Sequence, residues 1–399
     1  MTRGPATGPA ESLSLGEVIR STLPDFTRTH RLPRHHWKVL RALAVCHTPA
    51  LGGHQYQCAH CGREHFVPHS CGNRHCPSCQ RLKGAEWLAA QTQHVLPIPY
   101  FHVVFTLPHE LNPLIQYNQA QLYTLLFASA TATLLEFGRN NLQATLGITA
   151  VLHTWSQTLL DHYHLHCVVT GGGLSLDGQR WVPLGPRWLF SVRALSLVFR
   201  AKFRDGLQQL FAAGQLQFPQ LEPHLAGPGF FARWLRRVCR HKWVVYTKRP
   251  FAGPQAVLAY LCRYTHRVAI TNRRLQSLDH QTGTITFRYK DYAHGSQLRT
   301  MTLPQPEFLR RFCLHILPLR FVKIRHFGLL ANRDRSAKLT QARARLDELP
   351  RKSEVPPPTI LTFKPVEPTP MVCPYCGCQA LLLIRVIPRP KTPPTWDSS

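Results

Sequence analysis

The sequence predicts an α+β protein in which a small Cys-rich zinc module is followed by a larger domain with an antiparallel sheet. Three observations predict it. Two Cys-x2-Cys pairs stand close together near the N-terminus, β-branched and aromatic runs of strand length recur from residue 100 onward, and apolar residues return at helical spacing between them. The 399-residue chain carries 48 Lys+Arg against 20 Asp+Glu, a net charge of +28, yet 44% of it is hydrophobic. The charge therefore decorates a folded protein and calls for a polyanionic partner. Arginine outnumbers lysine by 37 to 11, a bias toward the planar fork that grips phosphate oxygens in pairs, which points to nucleic acid. No run of 18 apolar residues is present, so a membrane span is not expected. The N-terminus lacks an apolar leader core, which predicts a cytoplasmic, nucleoid-associated protein whose 13 cysteines serve as metal ligands or buried thiols.

Taken in order, residues 1–29, rich in Pro, Thr, Ser and Gly, read as a flexible lead, and residues 30–90 as a zinc-binding DNA-recognition module. Residues 91–335 read as a larger α+β domain. Within it residues 100–107 (YFHVVFTL) read as a strand and 122–137 as a helix; 149–157 and 164–170 read as two strands joined by a short turn and closed by three glycines. Gly253 and Pro254 open a helix with Val257, Leu261, Tyr264 and Val268 on one face, and residues 284–292 and 297–303 read as a hairpin. Residues 336–399 read as a basic helix and a Pro-rich tail containing Cys373, Cys376 and Cys378, three thiols without an obvious fourth ligand.

Cys58-x2-Cys61 and Cys76-x2-Cys79 are 14 residues apart, and each pair has the spacing by which a tight turn delivers two thiolates to one tetrahedral ion. The four are expected to hold one structural zinc, since four thiolates leave no position for water. Cys46, His54, Cys71 and His75 interleave with them and could form a second zinc site.

His164-Leu165-His166 sets two imidazoles on one strand face with Cα atoms about 6.6 Å apart, suited to one ion, while Leu165, Cys167 and Val169 face the core. His153 or Gln157, on the neighbouring strand, is placed to supply a third ligand, with His153 preferred; His162 would stretch the site too far. Tyr260 and Tyr264 lie four apart on the helix, so both hydroxyls leave the same face. Arg263, Arg267, Arg273 and Arg274 flank them and, with Lys290, are expected to bind DNA.

These residues carry a resemblance. FTLP (residues 105–108), HLH followed by a glycine triplet, and YLCRY (residues 260–264) with THRVAITNRRL, in that order behind a Cys-rich module, resemble the two-tyrosine rolling-circle insertion-sequence transposases of the HUH superfamily. KRPFAGP, FRYKDY and HILPLRFVKIRHFG extend the similarity over about residues 30–335. It implies a ferredoxin-like HUH endonuclease domain that nicks and joins single-stranded DNA at element ends and a target site through a 5′-phosphotyrosine, with Tyr260 and Tyr264 as nucleophiles acting in turn. A phenol with a pKa of about 10 is a weak nucleophile, so a divalent cation has to polarise the phosphate. Mg²⁺ or Mn²⁺ suits the oxygen-rich substrate. Two rival readings are a zinc-dependent DNA-binding regulator that cuts nothing and a plasmid replication initiator.

Overall fold

A computed structural model of the chain describes residues 13–349 and 371–390, apart from 186–189, 219–222, 252–255, 258–259, 262–264 and 293. Among the described residues the strands are β1 (Gly53–Cys58), β2 (Glu64–Pro68), β3 (Tyr100–Thr106), β4 (Ala144–Trp155), β5 (Asp161–Ser175), β6 (Trp181–Pro183), β7 (Val245–Phe251), β8 (Leu275–Asp279), β9 (Thr284–Asp291), β10 (Gln297–Pro304), β11 (Ile324–Gly328) and β12 (Leu381–Ile387). They form three antiparallel sheets. The central one runs β11-β4-β5-β3-β7, with β6 paired to β5.

In chain order β3, the helix Gln119–Leu142, β4, β5, the helix Val192–Ala212 and β7 follow a β-α-β-β-α-β course, and the four strands lie as β4-β5-β3-β7. That is the ferredoxin-like arrangement, extended by β11 at one edge. Alternation along the strands divides the sheet. Val103 and Phe105 on β3, Ile148, Ala150 and Leu152 on β4, and Leu165, Cys167 and Val169 on β5 are fully buried under Leu122, Leu126, Phe127, Phe199 and Phe203 of the two helices. Each large side chain buried there contributes about 2 kcal/mol. The opposite face carries Tyr100, His102, His153, His164, His166 and Val168. Part of it lies beneath Val257, Tyr260 and Leu261, which pack with Tyr100 and Val168.

The glycine triplet after β5's histidines has a steric cause. A Cβ at Gly171 would stand 2.6 Å from the Pro99 carbonyl oxygen, and one at Gly173 would stand 2.5 Å from that of Thr145, because β5 passes close to both neighbouring chains. Gly328, at the end of β11, has φ +63° and its Cβ would meet the Leu146 carbonyl oxygen at 1.9 Å.

Two expectations are corrected here. Residues 15–29, expected as part of a loose lead, are the helix Leu15–Thr29. It starts on a capping box in which Glu17 N–H donates to Ser14 Oγ (3.2 Å) and Ser14 N–H donates to Glu17 Oε2 (2.7 Å). Val18, Ile19, Leu23 and Phe26 recur on its buried face and enter a second core with Leu40 and Leu43 of the helix Arg34–Ala44, Ile285 and Phe287 of β9, and Phe308 and Phe312 of the helix Gln305–Cys313. The cysteine module thus shares a core with the β8–β9–β10 sheet. The second correction concerns the tail, where residues 381–387 form β12 and pair with β1, so chain from the far C-terminus completes the N-terminal sheet β12-β1-β2. The basic helix is present as Arg335–Asp347.

Gly328→Ala is expected to lower stability by about 3 kcal/mol, since the new methyl meets backbone and the φ is unfavourable. An unchanged thermal midpoint would show that β11 does not hold this close contact with β4.

Candidate active site and metal centres

The β4–β5 register sets His153 directly opposite His164, and His166 follows two residues along the same face. One ring nitrogen from each of the three lies within 4.8 Å of the other two. Two of the remaining nitrogens have partners: His164 Nδ1–H donates to the His162 carbonyl at 2.7 Å, and His166 Nδ1 lies 3.1 Å from Tyr260 Oη. Both contacts leave Nε2 turned to the cluster, the arrangement by which an outer partner fixes the tautomer of a metal-bound histidine. The donor set fits a divalent cation. Burial is the main cause that holds the imidazoles neutral: His164 falls to about 3, with His162 next and Arg267 contributing, and His166 falls further, with His153 next. Trp155 stacks on His153 at 4.7 Å and 21°, closing one side.

Tyr260 reaches this group from the helix above. Its hydroxyl is hydrogen-bonded to Nε2 of His102 on β3, and His102 Nε2 lies 2.9 Å from His166 Nδ1. His102 is neutral, lowered to about 3 by burial first and Lys248 second, and so offers a lone pair to the phenol. Sequence reasoning passed over His102 inside a good strand. The available signal was its parity with Tyr100 and Val104, which puts it on the face shared with His166. Tyr264 and Arg263 lie outside the described residues.

A pocket of about 410 Å³ opens over the imidazoles. Arg267 stands inside it, the β4–β5 loop with Gln157 forms one wall, and Tyr289, Lys290 and Tyr292 at the end of β9 form another. Arg273 is exposed. Arg274, expected to bind DNA, is instead structural: its guanidinium donates to the carbonyls of Arg288 (2.7 Å), Ala269 (3.3 Å) and Gln157. Burial, with Arg267 beside it, lowers it to about 10. Gln157 therefore lies in a loop with its carbonyl engaged by Arg274, not on the strand beside His164.

The thiols regroup relative to expectation. Cys58 and Cys61 do not meet Cys76 and Cys79. Cys76 and Cys79 join Cys46 and Cys71 in one cluster, while Cys58 and Cys61 join Cys373 and Cys376 in another. Within the first, Cys46 Sγ lies 3.5 Å from Cys76 and 3.6 Å from Cys79, and Cys71 lies 3.6 Å from Cys79. Backbone N–H groups of Cys71 and Asn73 point at Cys46 and Cys71 sulfurs, both at 3.4 Å. In the second, Cys58 is 3.6 Å from Cys376 and Cys61 is 3.7 Å from Cys373, with Cys378 a fifth thiol 3.3 Å from Cys58. Tetrahedral zinc with 2.3 Å bonds separates its sulfurs by about 3.8 Å, so both sets fit. The physical reason for the regrouping is β12: its antiparallel register on β1 brings Leu381 beside Cys58 and the Cys373–Cys378 turn with it. His54 and His75 join neither cluster. His54 packs against His69 at 4.8 Å on β1, and half-buried His75, lowered to about 3 by burial and then Arg74, sits near Arg74, His315 and Lys323.

The chain is similar to several known proteins. Residues 147–338 match the family model described as "Putative transposase", and residues 18–107 match the "Transposase zinc-binding domain". The chain is 42% identical over 391 residues to the "Putative transposase y4qJ" of Sinorhizobium fredii, covering 96% of each. It is 31% identical over 296 residues to the "Transposase for insertion sequence element IS801" of Pseudomonas savastanoi pv. phaseolicola, covering 73% of this chain and 69% of that one. Among solved structures, the conjugative relaxase TrwC in complex with oriT DNA, metal-bound, is 15% identical with a TM-score of 0.24, over 42% of this chain and 71% of that one. The matched families define a DNA-processing enzyme with a zinc-binding domain. The chain belongs to the two-tyrosine insertion-sequence transposases. Among the described residues no helix is long and apolar enough to cross a membrane.

Because protons compete with metal only below the folded-state pKa, Mn²⁺ affinity is expected to change little between pH 7 and about pH 5, read by electron paramagnetic resonance. An exposed pair of histidines with pKa about 6.5 would lose several hundred-fold over that span, and such a loss would contradict the burial described.

Proposed function

We propose that this transposase nicks and rejoins single-stranded DNA at its element's ends through a 5′-phosphotyrosine on Tyr260, with Tyr264 as the alternate nucleophile. The observation that supports it most is the Tyr260 hydroxyl lying against both His102 and His166, the latter a member of the three-histidine cluster. A hard divalent cation such as Mg²⁺ or Mn²⁺, when bound by His153, His164 and His166, withdraws charge from the phosphate oxygens. The residues do the rest. His166 Nδ1–H points at the phenol oxygen, and His102 Nε2 accepts the phenol proton as the oxygen attacks phosphorus. The P–O3′ bond breaks, the 3′ oxygen leaves and takes up a proton, and the 5′ phosphate stays esterified to the tyrosine. Arg267, inside the pocket, offsets charge on the phosphate. Since the ester keeps the energy of the broken bond, a 3′ hydroxyl can reverse the step and join a new strand without ATP.

The two four-thiol clusters are structural zinc sites in this reading. With Arg273, Lys290 and the excess of arginine, they give the module a DNA-binding role in a nucleoid-associated protein. A regulator or a replication initiator would share the charge and the zinc. The regulator would form no adduct, and the relatives carry the transposase name.

His164→Ala and His166→Ala are expected to reduce the covalent protein–DNA adduct on denaturing gels at least about a hundredfold, with affinity for single-stranded DNA within about threefold. Adduct at the wild-type level in either variant would overturn the metal assignment. His102→Ala, lacking the proton acceptor, is expected to slow adduct formation about a hundredfold without loss of Mn²⁺ binding. For the zinc sites, elemental analysis should find two ions per chain, and one after joint Cys373→Ser and Cys376→Ser substitution. Two ions remaining in that variant would contradict the second cluster.

A further inference from the structure

The end of β9 has no part in the phosphate chemistry, yet it walls the pocket directly above the imidazoles. Tyr292 there is 63% exposed, a large aromatic ring left at the mouth of a site and not folded into the core. Lys290 Nζ lies 5.5 Å from the centroid of that ring, which sets a cation beside it. Trp155, itself stacked on His153, lines the same pocket. The wall is held in place: Arg274 donates to the β9 carbonyl of Arg288 and to the β4–β5 loop carbonyl of Gln157, tying it to the strands that carry the histidines. Asp291 accepts from His294 at 2.8 Å and pairs with Arg299 at 3.3 Å, which fixes the turn beyond.

We propose that Tyr292 is a base-stacking platform: the nucleotide next to the scissile phosphate leaves the stack of its own strand and lies against this ring, with its phosphate directed to the histidines and Arg267. This deepens the nicking reading and rests on it. An aromatic face attracts the π-face of any base, and only an unpaired base has that face free, so the platform selects single strands over duplex without choosing sequence. The pocket volume of about 410 Å³ lies low in the range of small-ligand sites, about 300 to 1,000 Å³, and suits one nucleotide, not a duplex. Lys290 meets the backbone on the solvent side. A phosphate placed by its own base needs no further orientation, and that positioning is where such a platform acts on rate.

The test uses the full-length chain without added divalent cation, and single-stranded oligonucleotides from the element's end in which 2-aminopurine replaces one base at a time. Stacking quenches its fluorescence. The wild type is expected to quench one position beside the nick. Tyr292→Ala should lose that quenching and about tenfold in affinity, with the salt dependence of binding unchanged because no phosphate contact has gone. Tyr292→Phe should restore both. Since Tyr292 is exposed, both variants should keep the wild-type circular dichroism spectrum. Quenching retained in Tyr292→Ala, or lost equally in Tyr292→Phe, would overturn the proposal. A wild type that quenches the base but forms no tyrosyl adduct once Mg²⁺ or Mn²⁺ is added would instead contradict the nicking reading alone, so the two failures are told apart.

Discussion

Antiparallel pairing of β4 with β5 puts His153 opposite His164 on one face of the sheet while Leu152, Leu165 and Cys167 fill the core on the other. Side chains alternate with a period of two, so a slip of one residue would bury the imidazoles among the phenylalanines of the helices and turn the leucines to the pocket. The large apolar face therefore sets the register, and the register makes the metal cluster. The close approaches at Gly171, Gly173 and Gly328 serve the same end, because they let the chain entering β3 and β11 pack against these two strands, and β4 and β5 against each other, without a bulk that would shift them. Neutral, buried imidazoles are costly unless their nitrogens are satisfied. Here the His162 carbonyl, the Tyr260 hydroxyl and the neighbouring rings satisfy them, which also aims the open nitrogens at one point.

The cysteine clusters act on a larger scale. One ties Cys46 and Cys71 to the start of the helix Pro77–Thr92, and the other ties the first knuckle to residues 373–376 near the far end of the chain. The module also shares a core with the β8–β9–β10 sheet, whose β9 end walls the catalytic pocket. Metal binding in such clusters is folding energy, so zinc occupancy bears on the β9 wall of the pocket as well as on the module itself. Arg274 illustrates the linkage: a residue whose sequence neighbours suggest phosphate binding holds β9 to the β4–β5 loop with its guanidinium against three carbonyls.

What could be read from the sequence is what is encoded locally. The alternation in HLHCV told which histidines share a face, the glycine triplet marked a crowded strand end, and each Cys-x2-Cys pair announced a knuckle. Pairings across long separations were not legible. Cys61 meets Cys373 across 312 residues, and only the register of β12 on β1 decides that Cys58 and Cys61 look there and not to Cys76 and Cys79. The helix Leu15–Thr29 was obscured by its Ser, Thr and Pro content, including Pro24 inside it, although its capping box and the spacing of Val18, Ile19, Leu23 and Phe26 were in plain view. His102 escaped for another reason: a histidine within an apolar strand has meaning only once the neighbouring strand shows His166 beside it.

The account stands on a tyrosine of the helix above the sheet being the residue that carries the DNA. The direct measurement is to trap the covalent complex with a single-stranded element end, digest both components, and sequence the nucleotide-bearing peptide by mass spectrometry. The account predicts a phosphodiester-derived adduct on Tyr260 or Tyr264 within the YLCRY segment. An adduct on any other side chain would contradict it, whatever the metal content of the protein.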